Sequence, residues 1–275
     1  MKGGAVKKLT TLLVGLGCAV CLDAQITLGP TVDTFGVLAG STVTNSGPTV
    51  VLGNLGVSPG TAITGFAGIA PGGPGLVSGT INSANGLAAQ AQSELTAAYN
   101  AASGAASTGV ASADLGGQTL FAGVYTNATS IGITGTLTLD AQGNPNAQFI
   151  FQMGSTLTTA SNSSVLLING AQASNVFWKV GSSATLGTTS SLAGNILAQA
   201  SISLGTGAVL QGRALARTGA VTLLSNTITA PAGITGPPPP LVTPAPSSLI
   251  LVTTALAGVV IFRTRKRLFQ SLRLR

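Results

Sequence analysis

The sequence predicts a mainly β protein, a parallel β-solenoid with one long α-helix packed along its side. Two observations lead to this prediction. Four short segments with one shared pattern follow each other in the second half of the chain, and two of the intervals between them are 18 and 19 residues. One stretch, residues 83–103, has the composition and apolar spacing of a helix. A period of this length, rich in β-branched and small residues and without heptads, is typical of one solenoid coil.

The repeated segments are STLTT, SATLGT, SISLGT and AVTLLS, and each contains one leucine on which they align: Leu157, Leu186, Leu204 and Leu223. The first interval is 29 residues, which predicts an insertion. Because side chains alternate between the two faces of a strand, the aligned leucine should point inward and the residue before it outward. This alignment predicts one outward row on the side away from the helix: Thr156, Thr185, Ser203 and Thr222.

A second polar position follows three residues after each member of that row, at Thr159, Thr188, Thr206 and Ser225. A regular strand would place it on the opposite face, so we expect it to lie at a bend or bulge. The N-terminal part contains the same T-x-x-T-like pattern in Thr42 to Asn45, and Thr61 to Thr64 is another possible copy.

A longer apolar strand precedes each repeated segment: QFIFQMG, NVFWKVG, GNILAQA and GRALART. One set of alternate residues, such as Phe149, Phe151 and Met153, suits the solenoid core. The other set is also apolar, and a strand that is apolar on both faces needs a cover. Helix 83–103 can supply it, since about 20 residues span roughly 30 Å and six coils at about 4.8 Å are similarly long. Its predicted buried face is Leu87, Ala91, Leu95, Ala98, Tyr99 and Ala102.

Composition excludes several functional classes. The 275 residues are 45% hydrophobic and 6% charged, which is too apolar for a disordered chain. The formal charge of +7 arises at the two ends; between Gln25 and Pro246 three cations face four carboxylates, so a basic nucleic-acid footprint is absent. These cations, Lys179, Arg213 and Arg217, should be solvated at the edge of a coil, with a small anion site as the alternative.

The chain has no His, and its two Cys residues, Cys18 and Cys21, lie among the first 24 residues. The usual catalytic triads and the His or Cys metal sites are therefore not available to the rest of the chain. We expect a protein that is not an enzyme and that uses no cofactor, no metal and no nucleic acid.

Both ends have the pattern of an exported protein. Residues 1–24 combine Lys7 and Lys8 with an apolar run and a small residue at Ala24, which is typical of a cleaved signal peptide; lipoprotein processing at Cys18 is the weaker alternative. Residues 231–246 form a Pro-rich linker. Residues 247–262 are an uncharged, mostly apolar run that we expect to be a transmembrane or sorting helix, and the basic tail 263–275 should then stay cytoplasmic.

This C-terminal end resembles the bacterial PEP-CTERM sorting signal, a Pro-Glu-Pro motif followed by an apolar helix and a basic cluster. The motif here is Pro244-Ala245-Pro246, so the central Glu is missing. The resemblance implies a bacterial protein of the cell surface, outer envelope or extracellular space, and a sorting protease that acts near residues 244–246. A simple membrane anchor is the alternative.

The segments AGSTVTNSGPTVVLGNLGVSPGTAITGF, AAQAQSELTAAYNAA and GRALARTGAVTL, with the long stretch from GTLTLD to SSATLG, resemble the bacterial and fungal ice-binding proteins. The resemblance implies a discontinuous right-handed parallel β-solenoid over residues 25–230, with the helix at its side and the N-terminal coils beside the C-terminal ones. It also implies an antifreeze or ice-recrystallisation-inhibiting function through a flat face that the helix leaves free. The alternative is a non-enzymatic cell-surface or matrix adhesion protein on the same scaffold. The ice-binding residues that the resemblance implies are Thr42, Thr44, Asn45, Thr156, Thr158, Thr159, Thr185, Thr188, Ser203, Thr206, Thr222 and Ser225.

Overall fold

Short parallel strands and one α-helix make up residues 25–70 and 72–231, the part of the chain that the computed structural model describes. The predicted signal peptide, nearly all of the Pro-rich linker, the apolar run 247–262 and the basic tail lie outside these residues. The helix α1 is Gly86–Gly104, and 3-10 turns occur at Val32–Thr34 and Ala173–Asn175. The strands are β1 (Phe35–Ala39), β2 (Thr42–Ser46), β3 (Val50–Leu52), β4 (Asn54–Val57), β5 (Ala62–Thr64), β6 (Leu76–Val77), β7 (Ile81–Ser83), β8 (Gly109–Val110), β9 (Thr119–Phe121), β10 (Gly123–Asn127), β11 (Ile131–Ile133), β12 (Thr136–Asp140), β13 (Phe149–Met153), β14 (Leu157–Thr159), β15 (Ser164–Ile168), β16 (Val176–Val180), β17 (Ala184–Leu186), β18 (Ser191–Ala198), β19 (Ile202–Leu204), β20 (Val209–Ala216), β21 (Val221–Leu224) and β22 (Thr227–Thr229).

The strands form three faces, each made of parallel strands from successive coils, as in the predicted solenoid. The threonine face is the sheet β11-β14-β17-β19-β21-β2-β5. The helix face is β8-β10-β13-β16-β18-β20-β1-β4-β7, and the third face is β9-β12-β15-β18-β20-β22-β3-β6. Strands β18 and β20 are long enough to turn the corner between the last two faces. Glycine is required there, since Gly194 has φ +118° and a Cβ on Gly212 would lie 1.9 Å from the Gly194 carbonyl oxygen.

The solenoid is discontinuous in sequence. Strands β1 and β2 pair with β20 and β21, and β3 pairs with β22, so the N-terminal coils stack on the last C-terminal coil. The helix follows β7, the outermost helix-face strand at one end of the stack, and leads to β8, the outermost strand at the other end. The helix therefore carries the chain along the whole solenoid, and the predicted fold class is confirmed.

Two apolar cores hold these layers together. The inner core contains the alternate residues predicted for it, and Tyr125, Phe151 and Trp178 stack on successive coils with ring centroids 5.6 and 4.2 Å apart. The outer core packs the helix on the opposite side chains of the same strands, namely Ile150, Phe177, Leu197 and Leu215. The prediction that a helix covers these strands is confirmed.

The helix begins three residues later than predicted. Asn85 has an extended backbone, and its side-chain oxygen accepts a hydrogen bond from the Ala88 amide at 2.9 Å, so Asn85 is the N-cap. With this start, the first turn of the helix directs Ala88 toward the solenoid, where it is buried. Leu87, which was predicted for the buried face, is 44% exposed. The other five predicted contacts of the buried face are confirmed.

Arg213 joins the two ends of the described chain, and the prediction that it is solvated at a coil edge is wrong. Its side chain is 1% exposed and forms an ion pair with Asp33 at 2.6 Å. It also donates to the carbonyl oxygens of Asp33 and Pro231 and to the side-chain oxygen of Asn195. A buried arginine is tolerated because its donors find acceptors in this way.

Within residues 25–70 and 72–231, no helix is long and apolar enough to span a membrane.

Candidate functional site

A single row of small, mostly hydroxyl-bearing side chains runs along the middle of the threonine face, one from each coil. The strand registers pair these residues in sequence, so that each lies directly beside the next. Neighbouring strands lie about 4.8 Å apart, and seven positions therefore span roughly 29 Å. We call this set the central row: Gly132, Thr158, Thr185, Ser203, Thr222, Thr44 and Thr64.

The predicted row is correct for Thr185, Ser203 and Thr222 and wrong for Thr156. Leu157 pairs with Ala184, not with Leu186, so Thr158 is the residue that lies beside Thr185. The alignment on leucine fails in this coil because Thr159 takes the inward position that Leu186 has in the next one. The long interval of this coil includes the turn and 3-10 helix Ala173–Asn175 between β15 and β16.

Two of the predicted ice-binding residues occupy inward positions. Thr159 is 4% exposed; its hydroxyl donates to Ser190 Oγ at 3.1 Å and accepts from the Gly187 amide at 2.9 Å. Asn45 pairs with Leu223, whose side chain is in the core, and its amide donates to the carbonyl oxygens of Gly47 and Gly65. Both residues secure corner turns, so neither presents its side chain on the flat face.

Three residues of the second polar position, Thr188, Thr206 and Ser225, lie at the corner between the threonine face and the third face. A bend was predicted at this position. Thr188 and Thr206 are exposed in the turns after β17 and β19. Ser225 follows β21 with a positive φ of 53°, and its amide donates to the Ser46 carbonyl oxygen. These residues border the flat face without belonging to its strands.

A second row lies beside the central row, toward the helix face. It consists of Ser130, Thr156, Ser183, Ser201, Ala220, Thr42 and Ala62, whose order follows from backbone pairing. Four of its five hydroxyls bond within the protein: Thr156 Oγ1 donates to Ser130 Oγ at 2.8 Å, and the Ser183 and Ser201 hydroxyls accept backbone amides of the next coil. In the central row, by contrast, one hydroxyl contact is found within the described residues, from Thr44 to Thr222 at 3.5 Å. The central row thus has the hydroxyls that are free to meet a ligand.

The threonine face is backed by a mostly apolar layer. Residues on either side of each central-row threonine or serine point inward, and Ala184, Leu186, Ile202, Leu204, Val221 and Leu223 are each at most 1% exposed. Such packing fixes the strands in a regular array.

A carboxylate, Asp114, lies at the end of the central row, where its backbone bridges to Gly132. Hydrogen bonds from Thr134 and Gly116 hold the pKa of Asp114 below its usual value. This coil was not predicted from the sequence, and Thr64 was predicted as the end of a possible repeat but not as a site residue. The pair Leu115-Gly116 could have identified the coil, because it matches Leu186-Gly187 and Leu204-Gly205.

A different kind of surface lies at the C-terminal end of the helix, where a groove of about 900 Å³ opens between the helix and residues 144–148. Its lining is mostly alanine, glycine, asparagine and glutamine. No group of three or more His, Cys, Asp or Glu side chains is found among residues 25–70 and 72–231. The regular polar array of the threonine face is therefore the stronger candidate site.

Comparison with known proteins gives consistent matches. The profile of a family described as Ice-binding-like matches residues 37–229. An ice-binding protein of Nostoc sp. (strain HG1) is 48% identical over 246 residues, which is 89% of this chain and 88% of the relative. The crystal structure of an ice-binding protein from the Antarctic ascomycete Antarctomyces psychrotrophicus matches with a TM-score of 0.70 and 42% identity, over 75% of this chain and all of the other. An ice-binding protein from an Antarctic biological consortium matches with a TM-score of 0.71 and 43% identity, over 82% of this chain and 96% of the other.

Proposed function

The chain belongs to the Ice-binding-like family, and from this premise we propose that it binds ice through the central row of the threonine face. The observation that carries the proposal is the register: seven coils place one residue each in a single row, and six of these residues have a hydroxyl group, five threonines and one serine. The expected activity is inhibition of ice growth or recrystallisation.

The chemistry of this surface suits a ligand that is a lattice of water molecules. Ice offers neither a charge nor a pocket, so each contact is weak and binding needs many contacts at once. Threonine presents a methyl group and a hydroxyl group together, and its β-branched side chain has restricted χ1, so little side-chain entropy is lost on adsorption. A repeat of about 4.8 Å along the row can order water in matching ranks.

The neighbouring rows are less suited to this role. Most hydroxyls of the second row already bond to the protein, and Thr188 and Thr206 lie at the corner, outside the strands. We propose Thr44, Thr64, Thr158, Thr185, Ser203 and Thr222 as the main contact residues, with Thr42 and Thr156 flanking them. Asp114 marks one end of the array, since a charged carboxylate holds water in a different arrangement.

A bulky side chain in the centre of the row tests this proposal. Thr185→Tyr should abolish thermal hysteresis or recrystallisation inhibition, because a phenol ring holds the flat face away from the ice surface. The matched control is Thr227→Tyr on β22, an exposed threonine of the third face. Circular dichroism and the melting temperature should be unchanged in both variants, and the control should keep full activity.

Partition of the protein into slowly growing ice gives a direct second measurement. The wild-type protein should be enriched in the ice fraction and the Thr185→Tyr variant should not. A wild-type protein that shows neither activity nor enrichment would contradict the proposal and favour adhesion by the same scaffold. Equal losses in the Thr185 and Thr227 variants would contradict the choice of face.

We also propose that the protein is exported and held at the bacterial cell surface or released outside the cell. The support is the sequence: the signal-peptide pattern of residues 1–24, and the Pro-rich linker, apolar run and basic cluster of the C-terminal 45 residues. Mass spectrometry of the mature protein should find an N-terminus at Gln25. It should also show whether the chain ends near residues 244–246, where a sorting protease would cut, or retains residues 247–275 as an anchor. A cytoplasmic protein with an intact N-terminus would contradict this proposal.

A further inference from the structure

The three cations of the described residues differ in whether they have a carboxylate partner. Arg213 is paired with Asp33, which is the one ion pair formed within residues 25–70 and 72–231. Lys179 and Arg217, the other two cations of this region, have no carboxylate partner there. Both nevertheless approach the same side chain, Tyr99 of the helix.

Tyr99 holds the two cations at one corner of the solenoid. Its ring centroid lies 5.1 Å from Lys179 Nζ and 4.5 Å from Arg217 Cζ. The ring is fixed by burial against the helix face, and its hydroxyl donates to the Val180 carbonyl oxygen at 3.3 Å. Cations over an aromatic face are attracted by its quadrupole, so one ring pre-positions two positive charges from coils that are two apart.

Hydrogen bonding leaves much of the Arg217 guanidinium unused. Its Nη1 donates to the side-chain oxygen of Gln199, which occupies the equivalent position on the preceding coil. A guanidinium has five N–H donors. Within the described residues the Nε of Arg217 is buried without an acceptor, and Gln199 is the one acceptor that contacts the group, so the donors open to a ligand are those of its two terminal nitrogens. Lys179 likewise forms no hydrogen bond there, although both side chains are only partly exposed.

The carboxylates of the described residues have other partners or lie on other elements, and none forms an ion pair with Lys179 or Arg217. Glu94 accepts the amides of Thr31 and Val32, and Asp33 is held by Arg213. Asp140 is on β12 of the third face, and Asp114 is at the end of the central row. Two cations therefore share one aromatic ring, and neither has a carboxylate partner within the described residues.

We propose that Lys179 and Arg217, positioned by Tyr99 and Gln199, bind an anionic group, a carboxylate or sulfate, carried by a free anion or by an acidic polysaccharide. The two residues supply complementary chemistry, since lysine is a compact charge and arginine offers paired donors to two oxygens of one anion. Arg217 directly follows β20, on the helix-face side of the threonine face. An occupied site would thus leave the central row free, and it does not depend on ice binding.

The test uses the full chain in a non-ionic detergent and follows the NMR signals of the Arg217 side-chain Nε–H and the Tyr99 ring. These two signals report binding at Lys179 and Arg217 even if anions also bind to the basic residues 263–275. Sodium sulfate is titrated at constant ionic strength against chloride, and a uronic-acid polysaccharide is titrated in parallel. Saturable shifts of both signals are expected in the wild-type protein.

Substitutions separate a specific site from general attraction of polyanions. Lys179→Met with Arg217→Met keeps the apolar stems that cover Tyr99 and should weaken binding at least tenfold. Lys179→Arg with Arg217→Lys keeps the charge and should retain binding within a few-fold. A third protein adds Gln211→Lys and Thr227→Lys to the double Met variant, which restores the net charge on the third face and should not restore binding.

The possible outcomes decide both the site and its ligand. Saturation by the polysaccharide at a lower concentration of acidic groups than by sulfate would identify a polymer as the ligand. Saturation by sulfate alone would identify a free anion. Absence of saturable shifts with either ligand in the wild-type protein, or recovery of binding in the third-face lysine protein, would overturn the proposal.

Discussion

Two adjacent threonines, Thr158 and Thr159, should respond to substitution in opposite ways. Thr158 is exposed in the central row between Gly132 and Thr185, and Thr159 is buried behind it. We predict that Thr158→Tyr removes ice activity and leaves stability unchanged, whereas Thr159→Val lowers stability and leaves the activity of the folded protein unchanged. A one-residue difference in register would exchange the two results.

The expected loss for Thr159→Val follows from its hydrogen bonds. Valine has nearly the same shape, so no large cavity forms, but the Gly187 amide loses its acceptor and Ser190 loses one donor. A buried donor left without a partner costs about 1–3 kcal/mol. For a domain of this size each kcal/mol shifts the melting temperature by about 2–4 °C, so we expect a decrease of roughly 6 °C.

Thr158→Tyr should change the free energy of unfolding by less than about 0.5 kcal/mol, as is usual for exposed positions, and tyrosine is well accepted in strands. Thermal unfolding by circular dichroism and thermal hysteresis at a temperature where both variants are folded would check the pair. A Thr159→Val protein that melts normally but lacks activity would refute the register argument, as would an active Thr158→Tyr protein.

Two further predictions concern the framework. Arg213→Met should destabilise the domain by about 3–5 kcal/mol, because it leaves the Asp33 carboxylate, Asn195 and the Pro231 carbonyl without their donor; an unchanged denaturant midpoint would contradict this. Hydrogen bonds from Thr134 and Gly116 lower the pKa of Asp114 below 3.8, so its stabilising contribution is complete above pH 3.8 and is lost as the pH falls through the lowered value. Asp114→Asn should therefore reduce the slope of unfolding free energy against pH below 3.8, and an unchanged slope would show that this carboxylate does not contribute.

The fold could be predicted because its signals are repeated. Each apolar strand such as FIFQM or VFWKV carries two buried faces, and this pattern requires both a solenoid interior and an external cover. The repeats average out local irregularities. The helix start could not be placed as well, because Asn82 and Asn85 are both suitable N-caps in the sequence, and the choice depends on how the helix packs.

The site was predicted less accurately because register depends on single residues. Aligning coils on leucine assumes that the inward position is always apolar, but Thr159 fills it with a side chain whose hydrogen bonds are satisfied inside. Asn45 presents the same difficulty, because the pattern T-x-x-N does not show whether its asparagine points inward at a corner or outward to solvent. Three-dimensional pairing was needed to distinguish a polar residue that meets solvent from one that secures a turn.

The discontinuous stacking has a consequence for the proposed ice contact. Thr44 and Thr64 come from the N-terminal coils, and they extend the central row because β2 pairs with β21. At roughly 4.8 Å per strand, these two coils add about 10 Å to the array. The same stacking brings Asp33 and Pro231 together at Arg213, whose strand belongs to the helix face. The contacts that close the stack therefore lie among the strands of the helix face, and none of them involves a residue of the central row that we propose to contact ice.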